Sequence, residues 1–250
     1  MLGLGNNLSK GGLATPGIVT SSLVLKHKYD ASAVVPVSDG ACTFNGTSDY
    51  IAIGAKPVDT ADATYCFWAK STETGANSCV FAHEATNQGA FHFNVGGTKP
   101  LLQLDGSVYK YFDDTPAQDD GKWHHWAVKV DVSSMSTSYL WVDGVRVGDS
   151  SAVQSADVEV YGNLEIGRAT TTTEWEGSLC NFGVWSGFLT EPQIKSIMWK
   201  NYAGLTDSEK TNGVATLVSW WNLDTETNTS GEAGTGGVKD SHGTNHGTLT

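Results

Sequence analysis

The chain reads as a series of short runs in which alternate positions are apolar, separated by Gly, Asp, Asn and Ser. Among them are "ACTFNG", "DYIAIG", "ATYCFWAKS", "CVFAH", "AFHFNVG", "LLQLDG", "SVYKYF", "KWHHWAVKVDV", "SYLWVDG", "VRVG", "NLEIG" and "SLCNFGVW", after an earlier "SLVLKHKY". Alternation of this kind turns one face of a strand to a core and the other to water, and its repetition with turn residues between predicts an all-β sandwich. The Asp143-Gly144 pair supplies the positive φ of a two-residue hairpin turn between "YLWV" and "VRVG". Only "TEPQIKSIMWKNY" has helical spacing. Thr190 is its N-cap, Pro192 lies in its first turn, and Ile194, Ile197 and Met198 share a face. It predicts one short helix near residues 190–202, covering a sandwich edge.

The pattern weakens at both ends. Residues 1–22 hold several glycines and no sustained period, and read as an irregular arm that orders against something else. Residues 23–205 form the sandwich. Residues 206–250 add a strand, "ATLVSWW", and then a Gly/Thr-rich tail with few large apolar groups, expected as a surface excursion or second attachment arm.

The run "KWHHWAVKV" raises the question of chemistry. On a strand His124, Trp126, Val128 and Val130 share one face, and His125 points the other way with Ala127. The two histidines cannot chelate one metal from a regular strand. The valines mark the first face as core, so His124 and Trp126 are expected to be buried and structural, with Val128 and, on the next strand, Leu140 and Val142.

Composition sharpens this. The 250 residues include 29 Gly, nine Trp, eight Tyr and eight Phe, as a strand-and-turn protein requires. Against 27 acidic residues stand 15 Lys and Arg, a net charge of −12. That field repels phosphate backbones and anionic lipid, so neither nucleic acid nor membrane insertion is expected. The four cysteines match no metal motif, and Cys42, Cys66 and Cys180 lie in apolar runs, so reduced thiols are expected rather than disulfides. No signal peptide is expected.

The ordered motifs "CTFNGTSDYIAIG", "DGKWHHWAVKVD", "YLWVDGVRVG", "LEIGR" and "WEGSLCNFGVWSGFLTEPQIKSI" resemble the laminin G-like branch of the concanavalin A-like lectin/glucanase jelly rolls. The resemblance implies two antiparallel sheets packed face to face. It says less about function, because that sandwich hosts lectins, adhesion modules, glycosidases and spacers. A second resemblance covers the ends. "MLGLGNNLSKGG" and "SLVLKHKYDASAVV" are similar to the openings of marine bacteriophage virion proteins carrying this module. "WWNLD…KDSHGTNHGTLT" resembles a segment that precedes the early strand in relatives but here comes last, which leaves open whether it closes this sandwich, begins a second module or docks on a neighbour. These imply a virion component assembled in the host cytoplasm, with other virion proteins and copies of itself as partners.

Glycosidases of this class set carboxylates alternately on one strand. Asp157 and Glu159 in "DVEVY" share a face, but the third position is Tyr161. Glu174 and Glu176 flank Trp175 as a rim. No complete acidic triplet occurs, and no catalysis is expected. Relatives hold calcium on rim carboxylates; Asp49, Asp113, Asp114, Asp119 and Asp120 could serve, yet no spaced motif joins them and no cofactor is expected. Three functions therefore compete: a non-enzymatic virion structural protein, a carbohydrate-binding adhesion module, and a glycoside hydrolase. For the second, Tyr109, Tyr111 and Trp175 are the aromatics that could stack on surface glycans.

Overall fold

A computed structural model describes residues 38, 40–58, 62–75, 78–83, 89–95, 99–105, 108–153, 162–169, 173–224 and 237–250. All belong to one compact unit, Val35–Thr250. The N-terminal arm, the "SLVLKHKY" run, Asp157 and Glu159 lie outside the described residues.

In chain order the first strands are β1 (Cys42–Asn45), β2 (Ile51–Ile53), β3 (Ala63–Lys70), β4 (Ser78–His83), β5 (Ala90–Val95), β6 (Lys99–Asp105), β7 (Val108–Asp113) and β8 (His124–Val130). There follow β9 (Tyr139–Val142), β10 (Val145–Arg146), β11 (Gly148–Val153), β12 (Leu164–Ile166), β13 (Glu176–Gly187), β14 (Ala215–Trp221), β15 (Gly237–Val238) and β16 (Gly247–Leu249). Between β13 and β14 lie the helices α1 (Glu191–Ile197) and α2 (Asp207–Lys210).

The strands form two antiparallel sheets. One has seven strands in the order β1-β13-β3-β8-β9-β10, with β14 also on β13. β1 takes residues 176–179 of β13 and β14 takes residues 182–187, so the two lie end to end along one edge. The other sheet has nine strands, β11-β7-β6-β5-β4-β12-β2-β16-β15. Between the sheets lies an aromatic core of Phe44, Phe67, Phe81, Phe91, Phe93, Trp126, Phe182 and Trp221. Trp126, Val128, Leu140 and Val142 all belong to it, as their alternation predicted.

The seven-stranded sheet is buried on its other face as well. Register places Trp220, Gly183, Cys66, Ala127 and Trp141 in one row across five strands, three small residues bracketed by two tryptophans. Ile194 and Ile197 of α1 join this second cluster with Trp185, Leu189 and Leu205. The helix is set as its sequence indicates, with Thr190 and Gln193 forming a capping box and Pro192 in the first turn. Two indoles tie down the chain that follows: Trp68 donates to the Met198 carbonyl at 2.9 Å and Trp185 to the Glu209 carbonyl at 2.8 Å. Double burial explains why β3 is buried along its whole length except Lys70.

Of the readings open for the C-terminal segment, the one observed is closure of its own sandwich. β14 joins the first sheet and β16 pairs with β2 in the second, so the sandwich continues past residue 205 to the end of the chain. The junction is Asp240, 3% exposed. Its carboxylate accepts the backbone N–H groups of Trp220, His242 and Gly243, each at 3.0 Å, and of Asn245 at 3.1 Å. One buried anion thus organises the "DSHGTNHG" turn and links a strand of one sheet to the hairpin of the other. The four cysteines are buried free thiols.

Candidate functional site

β7, "VYKYFD", alternates strictly: Val108, Lys110 and Phe112 turn inward, and Tyr109, Tyr111 and Asp113 turn out. The inward lysine is at home because it reaches the sandwich edge. Its ammonium donates to the Ser136 and Ser138 carbonyls at 3.0 and 2.6 Å and pairs with Asp149 at 3.1 Å. Burial lowers its pKa, and hydrogen bonding to Asp149 opposes that.

On the outer face the tyrosines have neighbours that only register reveals. Tyr111 stands opposite Leu101 of β6, while Tyr109 stands between Gln103 of β6 and Val153 of β11. Their rings are 5.7 Å apart and inclined at 77°, so they form a corner of two aromatic walls instead of a flat platform. Lys99 and Asp113 close one end with an ion pair of 2.6 Å. The lysine's hydrogen bond holds the Asp113 carboxyl below its ordinary range. Val153 is 40% exposed. The result is a half-exposed apolar corner bordered by an amide, an ammonium and a carboxylate. Such a surface can take a ligand with an apolar face and a rim of hydroxyls.

Trp175, expected beside these tyrosines in function, is elsewhere. It is fully buried, its ring 5.2 Å from Phe93, and offers no surface for stacking. The alternation of "TEWEG" predicts a rim, but Trp175 faces the aromatic core, and only Glu176 beside it is exposed.

His124, expected as a buried, hydrogen-bonded ring at the edge of the core, sits at the rim with its side chain 15% exposed. Its Nδ1 lies 2.7 Å from Asp143 and its Nε2 3.4 Å from Asp120. Asp143 raises the imidazole pKa through that hydrogen bond, against a smaller lowering by burial. His125 points to the opposite face, as alternation requires, but that face is covered too. It is 2% exposed with its ring 5.4 Å from Trp68, and burial lowers its pKa to about 3.

Among the described residues no three His, Cys, Asp or Glu side chains converge where a cation could sit, Asp49, Asp113, Asp114, Asp119 and Asp120 included. Asp49 instead accepts the Asn45 N–H at 3.1 Å, closing the turn after β1. No helix among them is long and apolar enough to cross a membrane.

The family model of the concanavalin A-like lectin/glucanases superfamily matches residues 45–195, more than half of the chain. The chain belongs to this superfamily. No curated protein matches it in sequence. Among solved structures it is similar to a candidate carbohydrate-binding protein from Bacteroides ovatus, with a TM-score of 0.64 and 18% identity. That match covers 86% of this chain and 59% of the Bacteroides protein, so the chain spans less than two thirds of its relative's length. It is also similar to a heptameric pentraxin of the SAP-like type from Limulus polyphemus, with a TM-score of 0.53 and 19% identity over 66% of this chain and 84% of that one. At these identities the likeness is one of fold.

Proposed function

We propose that this chain is a non-catalytic carbohydrate-binding module that takes glycans on the outer face of its nine-stranded sheet. The observation that carries the reading is the corner of Tyr109 and Tyr111, with Gln103, Lys99 and Asp113 around it. A pyranose lying on one ring and abutting the other buries its C–H face, while its hydroxyls reach the amide and the ion pair. The net charge of −12 favours uncharged glycans over anionic ones. The Bacteroides protein that shares the fold supports the same ligand class.

Attachment to a bacteriophage particle has its support in the resemblance of the first residues to virion proteins. The other proposed anchor, the C-terminal segment, is engaged in both sheets of its own sandwich.

Isothermal titration against a panel of neutral oligosaccharides tests the binding reading. Tyr109→Ala and Tyr111→Ala should each weaken binding by about tenfold, roughly 1.4 kcal/mol, with an unchanged circular-dichroism spectrum because both rings are at the surface. Full affinity in the double variant would refute the assignment.

A further inference from the structure

On the outer face of the seven-stranded sheet, at the end away from the row that α1 covers, a groove of about 220 Å³ is lined by Thr43, Ser71, Thr72, Ser178, Lys70 and Glu176. We propose that this groove is a second saccharide site, sized for one neutral pyranose, so that a single molecule bridges two glycan chains. The ligand class rests on the carbohydrate-binding reading above; the place does not.

Register builds the site. Thr43 of β1, Ser178 of β13 and Lys70 of β3 lie in one row across three adjacent strands. Their flanking residues Cys42, Phe44, Leu179 and Ala69 belong to the core, so the row faces outward. The Thr43 and Ser178 hydroxyls are 3.0 Å apart and exposed, and each keeps capacity for a further partner. Asn45 and Glu176 form the next row. Ser71 donates to the Glu176 carbonyl at 2.6 Å, which fixes the wall of the groove.

The balance of groups matches a polyol. Hydroxyls, an ammonium and a carboxyl offer both donors and acceptors, whereas a phosphate or sulfate site would need an excess of donors. Glu176 also hydrogen-bonds the Glu73 side chain, and this contact together with Glu73's charge raises its pKa. The proximity of the two carboxyl groups disfavours anions. The groove and the tyrosine corner lie on the outer faces of different sheets, so the two sites cannot share one short ligand. Binding at both would give avidity to a surface bearing many glycan chains.

Backbone amide NMR of the full chain, titrated with glucose, galactose and mannose, tests this. Shifts are expected near Thr43, Lys70 and Ser178 as well as near Tyr109 and Tyr111. The pair Thr43→Val with Ser178→Ala removes only exposed hydroxyls, and should weaken the first set at least about tenfold while leaving the second. Tyr109→Ala should do the reverse. Shifts confined to the tyrosines would overturn the second site and leave the carbohydrate reading standing. Shifts at neither place would overturn both, and groove shifts that survive loss of both hydroxyls would overturn the proposed contacts.

Discussion

The imidazole of His124 meets the carboxylate of Asp143 at 2.7 Å, and the other oxygen of that carboxylate accepts the His125 N–H at 2.9 Å. Asp143 is the first residue of the β9–β10 turn, at φ 51°, and Gly144 follows at φ 76°. The "WHH" strand and the "VDG" hairpin are therefore one structural unit, in which a histidine at the end of β8 anchors the turn of the neighbouring strands. The chemistry suggested by adjacent histidines is the fixing of a loop.

This pair makes stability depend on pH in a defined direction. The raised pKa of His124 means that its contribution is complete below about pH 6.5, the unfolded value, and is lost as pH rises through the folded value. Burial pushes the Asp143 carboxyl up, but hydrogen bonds from the His124 ring and the His125 N–H bring it below the ordinary value. Its contribution is present above about pH 4 and lost below. The difference in melting temperature between wild type and His124→Gln should be largest between about pH 4 and 6.5, and shrink on the alkaline side. Buried neutral His125 acts oppositely, since its lowered pKa costs both proteins stability as pH falls below about 6.5. Only the difference isolates His124 with its carboxylate partners Asp143 and Asp120, and a difference flat in pH would refute their coupling.

Gly183 is predicted to be irreplaceable for lack of room. A Cβ there would come within 2.6 Å of the Trp220 ring and 2.7 Å of the Trp185 ring. Gly183→Ala should cost about 1–3 kcal/mol by overpacking, seen as a fall of several degrees in thermal melting. Gly54→Ala, where a Cβ meets nothing within 4 Å, is the near-neutral control. Equal melting temperatures for the two variants would contradict the packing argument.

Removing the Asp240 carboxylate should detach the C-terminal hairpin. Asp240→Ala leaves four backbone donors without their acceptor, at a cost on the order of 3 kcal/mol. Asp240→Asn retains one acceptor oxygen and should fall between. Hydrogen exchange should report lost protection in residues 237–250 first. Unaltered protection in the Ala variant would remove the carboxylate from this role.

Trp126 is 1% exposed, its ring 4.4 Å from that of Phe93. Trp126→Ala should destabilise by about 3–5 kcal/mol through the void it leaves. Chemical denaturation measures this, and a loss below about 1 kcal/mol would show that the core collapses around the gap.

Alternation is a local property, so most strands, the inward set Trp126, Val128, Leu140 and Val142, and the capped helix at Thr190 could all be read from neighbouring residues along the chain. β11, "GDSSAV", β15 and β16 could not, because their own residues have little preference for a strand and owe it to partners: β7 for the first, β2 and Asp240 for the others. Which exposed-looking aromatics face solvent was equally hidden. Tyr109 and Trp175 both sit among polar residues, yet one stands on an outer sheet face and the other against Phe93. The corner of Tyr109 and Tyr111 was half legible, as two tyrosines on one face of a strand, but Gln103, Val153 and Lys99 reach it only through cross-strand register. Register and second-face burial depend on segments far apart in the chain, such as α1 over Ala127, and a periodicity of two carries no information about what will come to lie on either side.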